Sequence, residues 1–274
     1  MRVLTVVTLL SAGLLASGCS GKTTSTSTTT PVTAPSGSGV HSANGTLSPT
    51  ISTPSIALDA CANFGGVFPV PAAAAQAILP DGFKAVLAAN DPQGGAALYV
   101  LILKCGSAHI DNASVDAPYL AYAELAVTPD AGHQVTGISD YTVPVFFQAH
   151  PAALAAAFAG LHLGKVQNAS ILWGSSAPGT QDASVTSDAG GFSLSGVLFP
   201  EPPAGLASGS FVVFAVQDRQ IVAAIDGASV GGQSVHAAVK LDVQGSPMLV
   251  GQAQPVANGF SVNTFALTYK ARGA

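Results

Sequence analysis

Charged side chains are scarce in this sequence. Lysine, arginine, aspartate and glutamate make up only 8% of its 274 residues, whereas hydrophobic residues make up 48%. The lysines and arginines form no cluster able to neutralise a row of phosphates, which excludes nucleic acid as a partner. The high apolar content also excludes a disordered chain, whose signature is low hydrophobicity with high net charge. The composition therefore predicts a folded protein.

The motifs of common catalytic sites are missing as well. The sequence contains no S-x-x-K, G-x-x-x-x-G-K-[ST] or H-E-x-x-H, and its G-x-S-x-G at residues 227–231 lies between two predicted strands instead of between a strand and a helix. Its histidines are scattered, and its cysteines have none of the spacings of a zinc site. His109 and Asp111 are close enough in sequence to touch one metal ion, but an aspartate beside a surface histidine is common. We therefore expect neither a metal site nor a cofactor.

The first nineteen residues have the pattern of a secretory leader. Arg2 precedes an apolar run over residues 3–16, and small residues stand immediately before Cys19. The run is too short to span a bilayer, which takes about 20 apolar residues. It suits the hydrophobic region of a signal peptide, which is about 7–15 residues long. We predict that residues 1–18 are a signal peptide and that the protein is exported.

The end of this leader, Leu15-Ala16-Ser17-Gly18-Cys19, resembles the lipobox of bacterial lipoproteins. The resemblance implies that the Cys19 thiol receives a diacylglycerol and that the leader is cut before Cys19. Two or more acyl chains, such as palmitate, anchor a protein stably where one holds it reversibly. We expect the protein on the extracytoplasmic face of the bacterial cell membrane. The alternatives are an ordinary signal peptide with a chance cysteine, and an uncleaved anchor.

Residues 19–55 are rich in Ser, Thr, Pro and Gly and contain no Phe, Tyr or Trp. Such a segment buries too little apolar surface to offset the entropy lost on ordering, so we predict a flexible linker. A coil of this length reaches roughly 30–35 Å. It would hold the single β-rich domain that we predict for residues 56–274 clear of the lipid surface.

Two cysteines remain beyond the leader, Cys61 and Cys105. An exported protein folds in an oxidising compartment, where an even number of cysteines favours a disulfide. The alternative is a pair of buried free thiols, since reduced cysteine is among the most buried residue types.

Beyond residue 56 the pattern predicts an α+β domain that is mostly β, with one main helix over residues 150–161 and a short one over residues 71–78. Many short strands with few helices indicate a curved antiparallel sheet or a barrel. The predicted strands are residues 83–89, 96–105, 119–128, 141–147, 169–173, 183–187, 192–199, 211–216, 221–226, 236–243, 248–250 and 260–269, with a hairpin connection at 217–220.

The order of several short motifs resembles the acetoacetate decarboxylase-like family. Leu79-Pro80-Asp81-Gly82 and Asp91-Pro92-Gln93-Gly94-Gly95 each precede a strand, and Tyr122-Ala123-Glu124 lies within the next one. The main helix then leads into Leu163-Gly164-Lys165. The resemblance covers about residues 64–270 and implies a curved or barrel-like antiparallel sheet.

In catalytic members of that family a lysine forms a Schiff base with a β-keto acid. The resemblance matches Lys165 to that lysine and Glu124 to a carboxylate on an inward-facing strand. Val166, however, stands where the family has a second lysine, whose charge lowers the pKa of the first. Without that cation a lysine keeps a pKa of about 10.4 and stays protonated. This departure argues against decarboxylation, and the alternative for Lys165 is a solvated residue after a helix.

Glu124 is one of only two glutamates and lies among apolar residues in the middle of a predicted strand. A buried carboxylate needs a cationic partner, for which Arg219 and Lys104 are the candidates, or else becomes neutral through a raised pKa. The alternative for Arg219 is simple exposure in its hairpin turn.

The sequence favours a non-catalytic envelope lipoprotein that binds a small apolar ligand or an envelope partner. The alternatives are a Schiff-base enzyme acting on keto acids through Lys165, and a structural surface protein. The candidate site residues are Cys19 for lipidation, Cys61 and Cys105 for the disulfide, and Lys165, Glu124 and Arg219 for catalysis or ligand binding.

Overall fold

The computed structural model describes residues 54–89, 91–163, 166–245 and 249–272. The predicted signal peptide, the lipidation at Cys19, nearly all of the linker and Lys165 therefore lie outside the described residues. Neither helix within these ranges is long and apolar enough to cross a membrane.

Strands dominate the described chain, and two short helices accompany them. The helices are α1 (Ala72–Ala77) and α2 (Ala152–Gly160), and Val250–Gln252 forms a 3-10 turn. The strands are β1 (Ser55–Val70), β2 (Lys84–Ala85), β3 (Ala96–Lys104), β4 (Ser107–Ile110), β5 (Ala113–Asp116), β6 (Tyr119–Thr128), β7 (Asp140–His150), β8 (Ser170–Gly174), β9 (Thr180–Ser187), β10 (Gly190–Leu198), β11 (Ala204–Gly205), β12 (Gly209–Gln217), β13 (Gln220–Val230), β14 (Gln233–Gln244) and β15 (Val256–Ala271).

Seven of the strands close into a ring, in the order β1-β3-β6-β7-β12-β13-β15, because β15 pairs back onto β1. All pairings within the ring are antiparallel except that of β7 with β12. From β15 the sheet continues through β14, β10 and β9 to β8. One sheet therefore forms both a closed barrel and an extension beside it.

The two faces of the ring strands bury two large apolar cores, since successive side chains of a strand point to opposite faces. A third, small cluster consists of Ala88, Ala97 and Ala126. The inner core takes residues from all seven ring strands, among them Leu58, Leu101, Tyr122, Phe147, Val213, Ile225 and Leu267. The outer core joins the other face of the ring to the extension through residues such as Phe64, Val100, Ala123, Phe146, Ala183, Phe192 and Leu241.

Helix α2 packs against the inner core. Leu154, Phe158 and Leu161 have no exposed surface, as their i, i+4, i+7 spacing predicts. The ring of Phe158 lies 4.8 Å from that of Phe147 and 5.2 Å from that of Tyr269. The helix thus contributes aromatic and aliphatic side chains to the interior of the barrel.

The structure confirms the predicted fold class and most of the strands, and it corrects two of them. Residues 83–89 form only the two-residue β2 and an isolated bridge at Leu87. Of the strand expected at 248–250, Met248 lies outside the described residues, and Leu249 and Val250 form no strand because the chain turns at Val250–Gln252. Leu249 and Val250 are apolar because the turn buries them in the outer core.

Candidate site in the barrel interior

Glu124 lies in the interior of the barrel. On β6 the odd-numbered Ala121, Ala123 and Leu125 belong to the outer core, whereas Tyr122 belongs to the inner core. Glu124 therefore shares the inward face with Tyr122, and it is only 8% exposed. The expected inward-facing carboxyl is thus in place.

Burial raises the pKa of Glu124 from 4.5 to about 7, and the nearby Thr142 hydroxyl partly opposes that change. The Thr142 oxygen is itself buried, and among the described residues it makes no hydrogen bond of standard geometry. We take the contact between the two side chains to be loose, so that burial governs the pKa. The carboxyl is consequently poised to gain or lose its proton near neutral pH.

Three tyrosines surround this carboxyl. Tyr99 on β3 is its cross-strand partner, and Tyr122 precedes it on the same face of β6. Burial chiefly raises the pKa of each of these phenols and of Tyr269, and the charge of Glu124 raises all three further. The phenols therefore stay protonated at neutral pH and can donate hydrogen bonds.

A second carboxyl, Asp140, lies at the start of β7 near Tyr99. Its charge raises the pKa of Tyr99 further, and its own pKa is raised by partial burial. Away from these polar groups the interior is aromatic: Tyr122 stacks on Phe147 at 5.7 Å, and Phe211 meets Tyr269 at 5.8 Å. The site therefore combines a titratable carboxyl with closely packed aromatic side chains.

The structure does not bring the candidate cations to Glu124. Arg219 sits in the β12–β13 turn, where it pairs with the exposed Asp81 and donates from Nε to the Leu79 carbonyl at 3.0 Å. Lys104 is exposed and lies five residues beyond Tyr99 on β3, hence on the opposite face. Among the described residues neither candidate cation pairs with Glu124. The carboxyl is tolerated in the interior because its raised pKa lets it stay protonated.

The remaining predicted site residues fall into two groups. Cys61 and Cys105 form the predicted disulfide, which links β1 to the residue that follows β3. Lys165 lies outside the described residues. No group of three or more histidine, cysteine or acidic side chains in the described ranges could hold a metal ion.

Sequence reasoning missed Tyr99, Thr142, Asp140 and Tyr269 as neighbours of Glu124. Each lies on a different strand from Glu124, so their proximity depends on strand order and register. The tyrosine in Tyr122-Ala123-Glu124 was the one signal in the sequence, because residues two apart on a strand share a face.

Comparisons with known proteins find likeness in structure only. No protein-family model and no curated protein matches the sequence. An acetoacetate decarboxylase from Legionella pneumophila is similar over 80% of this chain and 87% of its own, with 9% identity and a TM-score of 0.56. The enduracididine biosynthesis enzyme MppR, solved with pyruvate, is similar over 84% and 92%, with 14% identity and a TM-score of 0.53.

An acetoacetate decarboxylase-like enzyme from Sphingomonas wittichii gives the same picture. It is similar over 84% of this chain and 98% of its own, with 12% identity and a TM-score of 0.51. At such identities the likeness shows the fold alone. The chain has an acetoacetate decarboxylase-like fold, as the order of its motifs predicted.

Proposed function

We propose that this protein is an exported, lipid-anchored envelope protein that binds a small, largely apolar ligand in its barrel without transforming it. The observation that carries the binding site is Glu124, a buried carboxyl with a strongly raised pKa among three phenols. Carboxyls perturbed in this way are concentrated at functional sites. The aromatic side chains packed around it suit contact with an apolar ligand that carries one polar group.

The membrane location rests on the sequence before residue 20. If Cys19 carries the anchor, intact-mass analysis of the protein from its native membrane will give a chain that begins at Cys19 and bears at least two acyl chains. Cys19→Ser should abolish the lipid mass and release the protein from the membrane. A mature chain that begins elsewhere, or an unmodified Cys19, contradicts this part of the proposal.

The ligand site can be tested with N-phenyl-1-naphthylamine, a neutral apolar fluorophore with one N–H donor. We expect its fluorescence to rise on binding at pH 8, where Glu124 is ionised. Glu124→Leu should weaken binding about tenfold or more, because a hydrogen bond to a charged group contributes about 1.5–3 kcal/mol. Glu201→Leu, which alters the exposed second glutamate, is the matched control and should bind like the wild type.

The fold likeness supports a rival function, a Schiff-base enzyme acting on keto acids through Lys165. It predicts that borohydride traps pyruvate or acetoacetate covalently on the protein and that Lys165→Ala abolishes the adduct. That result would replace the binding proposal. Failure of the fluorophore to bind, or equal binding by Glu124→Leu, would refute the site at Glu124.

A further inference from the structure

We propose that the protein has a second ligand site, which takes a small carboxylate, on the outer side of the barrel. The site is a surface depression of about 400 Å³ lined by Tyr119, His150, Asn168, Ala169, Ser170 and Ile171. It lies where the beginning of β6 and the end of β7 meet the beginning of β8. It is independent of the function proposed for the barrel interior.

A row of polar side chains borders this depression. Lys104, Tyr119 and His150 are cross-strand partners on the adjacent strands β3, β6 and β7, so their side chains project side by side from one face. The rings of Tyr119 and His150 lie 6.4 Å apart. The register therefore places an ammonium group and a phenol together at this edge.

His150 positions the amide of Asn168. The two side chains meet at 3.1 Å between His150 Nδ1 and Asn168 Oδ1. Because an amide oxygen can only accept, the imidazole donates, and the Asn168 NH₂ group is left to donate elsewhere. The backbone is held as well, since the Ala169 N–H donates to the Ala149 carbonyl at 3.1 Å. Asn168 thus presents two N–H donors in a fixed orientation.

The chemistry of the depression selects an anion. None of the described residues that line it is acidic, and none of the ion pairs formed within the described ranges involves Lys104. The Asn168 amide, the Tyr119 and Ser170 hydroxyls and the neighbouring Lys104 can donate to a carboxylate. Ala169 and Ile171 supply apolar contact for a short hydrocarbon body.

The depression and the barrel interior are separate sites. Tyr119 and Glu124 lie five residues apart on β6 and so project from opposite faces of the strand. A ligand in the depression would contact the outer face of the ring, and one at Glu124 would contact the inner face. Changes at either site should leave the other unaffected.

The test is a titration of the purified full chain with benzoate, followed by NMR. We expect saturable binding with a Kd of about 1–10 mM, as suits an exposed site with a few hydrogen bonds. Asn168→Asp keeps the oxygen that faces His150 but replaces the amide donors with a negative charge, and it should weaken binding at least about tenfold. Asn258→Asp, the same change on an exposed part of β15, and Glu124→Leu should bind benzoate like the wild type.

Three results would overturn the inference. Equal binding of benzyl alcohol would show an apolar surface without anion selectivity. Unchanged affinity in Asn168→Asp would show that the amide makes no contact with the ligand. Loss of benzoate binding in Lys165→Ala together with full retention in Asn168→Asp would place the anion at the lysine of the Schiff-base alternative.

Discussion

Glu124→Gln is expected to make the protein more stable above pH 7 by about 3 kcal/mol and to leave its stability unchanged below pH 4.5. The pKa of the carboxyl is about 7 in the folded chain, against 4.5 for an exposed glutamate. Below pH 4.5 it is protonated in both the folded and the unfolded chain. As the pH rises towards 7, the unfolded chain releases the proton and the folded chain keeps it, so the free energy of unfolding falls.

Above about pH 7 the carboxyl is ionised in the folded chain too. The free energy of unfolding then stays lower by 1.36 kcal/mol for each pH unit between the folded and the unfolded pKa. Glutamine has nearly the shape of the protonated carboxyl but no proton to lose, so the variant avoids this cost. Denaturant unfolding of both proteins at intervals from pH 4 to pH 8 measures the difference. The contribution of Asp140 is common to both proteins and cancels.

Glu201→Gln is the control for this experiment, because Glu201 is exposed and pairs with His236. It should not reproduce the divergence above pH 5. A stability difference between wild type and Glu124→Gln that stays constant from pH 4 to pH 8 would mean that the carboxyl has the same pKa in the folded and the unfolded chain. The barrel interior would then be more polar than the burial of Glu124 implies.

Removal of the Cys61–Cys105 disulfide is expected to cost about 4 kcal/mol of folding free energy. The bridge closes a loop across a sequence separation of 44 residues, and the chain-entropy model assigns about this stabilisation to a loop of that size. Both cysteines are buried in the inner core, so reductant should reach the bridge only slowly in the folded protein. The double variant Cys61→Ala/Cys105→Ala removes the cross-link directly.

Urea unfolding compares the oxidised wild type, the double variant and wild type reduced after unfolding and then refolded. The reduced wild type keeps both sulfur atoms in the core, so its deficit reports the cross-link alone, and the further deficit of the double variant reports lost packing. A loss below about 1 kcal/mol in the reduced protein would contradict the prediction. It would show that the unfolded chain is already constrained between these two positions.

The sequence was informative wherever a strand or helix carried its own pattern. The strand over residues 119–128 has the predicted bounds, and the hairpin at 217–220 forms a two-residue turn. Asp218 and Arg219 both have positive φ there, which matches the twist of the flanking strands.

Strand β1 shows where sequence patterns fail. The sequence patterns predicted no strand before residue 83, yet Ser55–Val70 forms a 16-residue strand. A Cβ on Gly65 would overlap the carbonyl oxygen of Val100, so the glycine permits the close approach of β1 to β3. This requirement comes from a neighbouring strand about 35 positions away and has no local signature.

In the candidate site, too, the sequence predicted what lies within one strand and not what distant strands bring together. Glu124 was predicted because a lone carboxyl among apolar residues is visible in one strand. The residues around Glu124 were not predicted, because Tyr99, Thr142 and Tyr269 approach it only once the ring of strands is closed. The suggested partners Arg219 and Lys104 illustrate the point: each charge was noted in the sequence, but register and face decide which groups meet.

Because β1 pairs with β15, the barrel closes only after nearly all of the described chain has been synthesised. Ser55 is opposite Lys270, and Gly66 is opposite Gly259, so the first and last strands of the barrel complete one another. During synthesis an amino-terminal fragment would expose the unpaired edge of β1, a template for misassociation. Folding by such distant contacts is slow. The barrel therefore cannot close until its final sixteen-residue strand has been synthesised. Such a fold suits a chain that is kept unfolded until all of its strands are available.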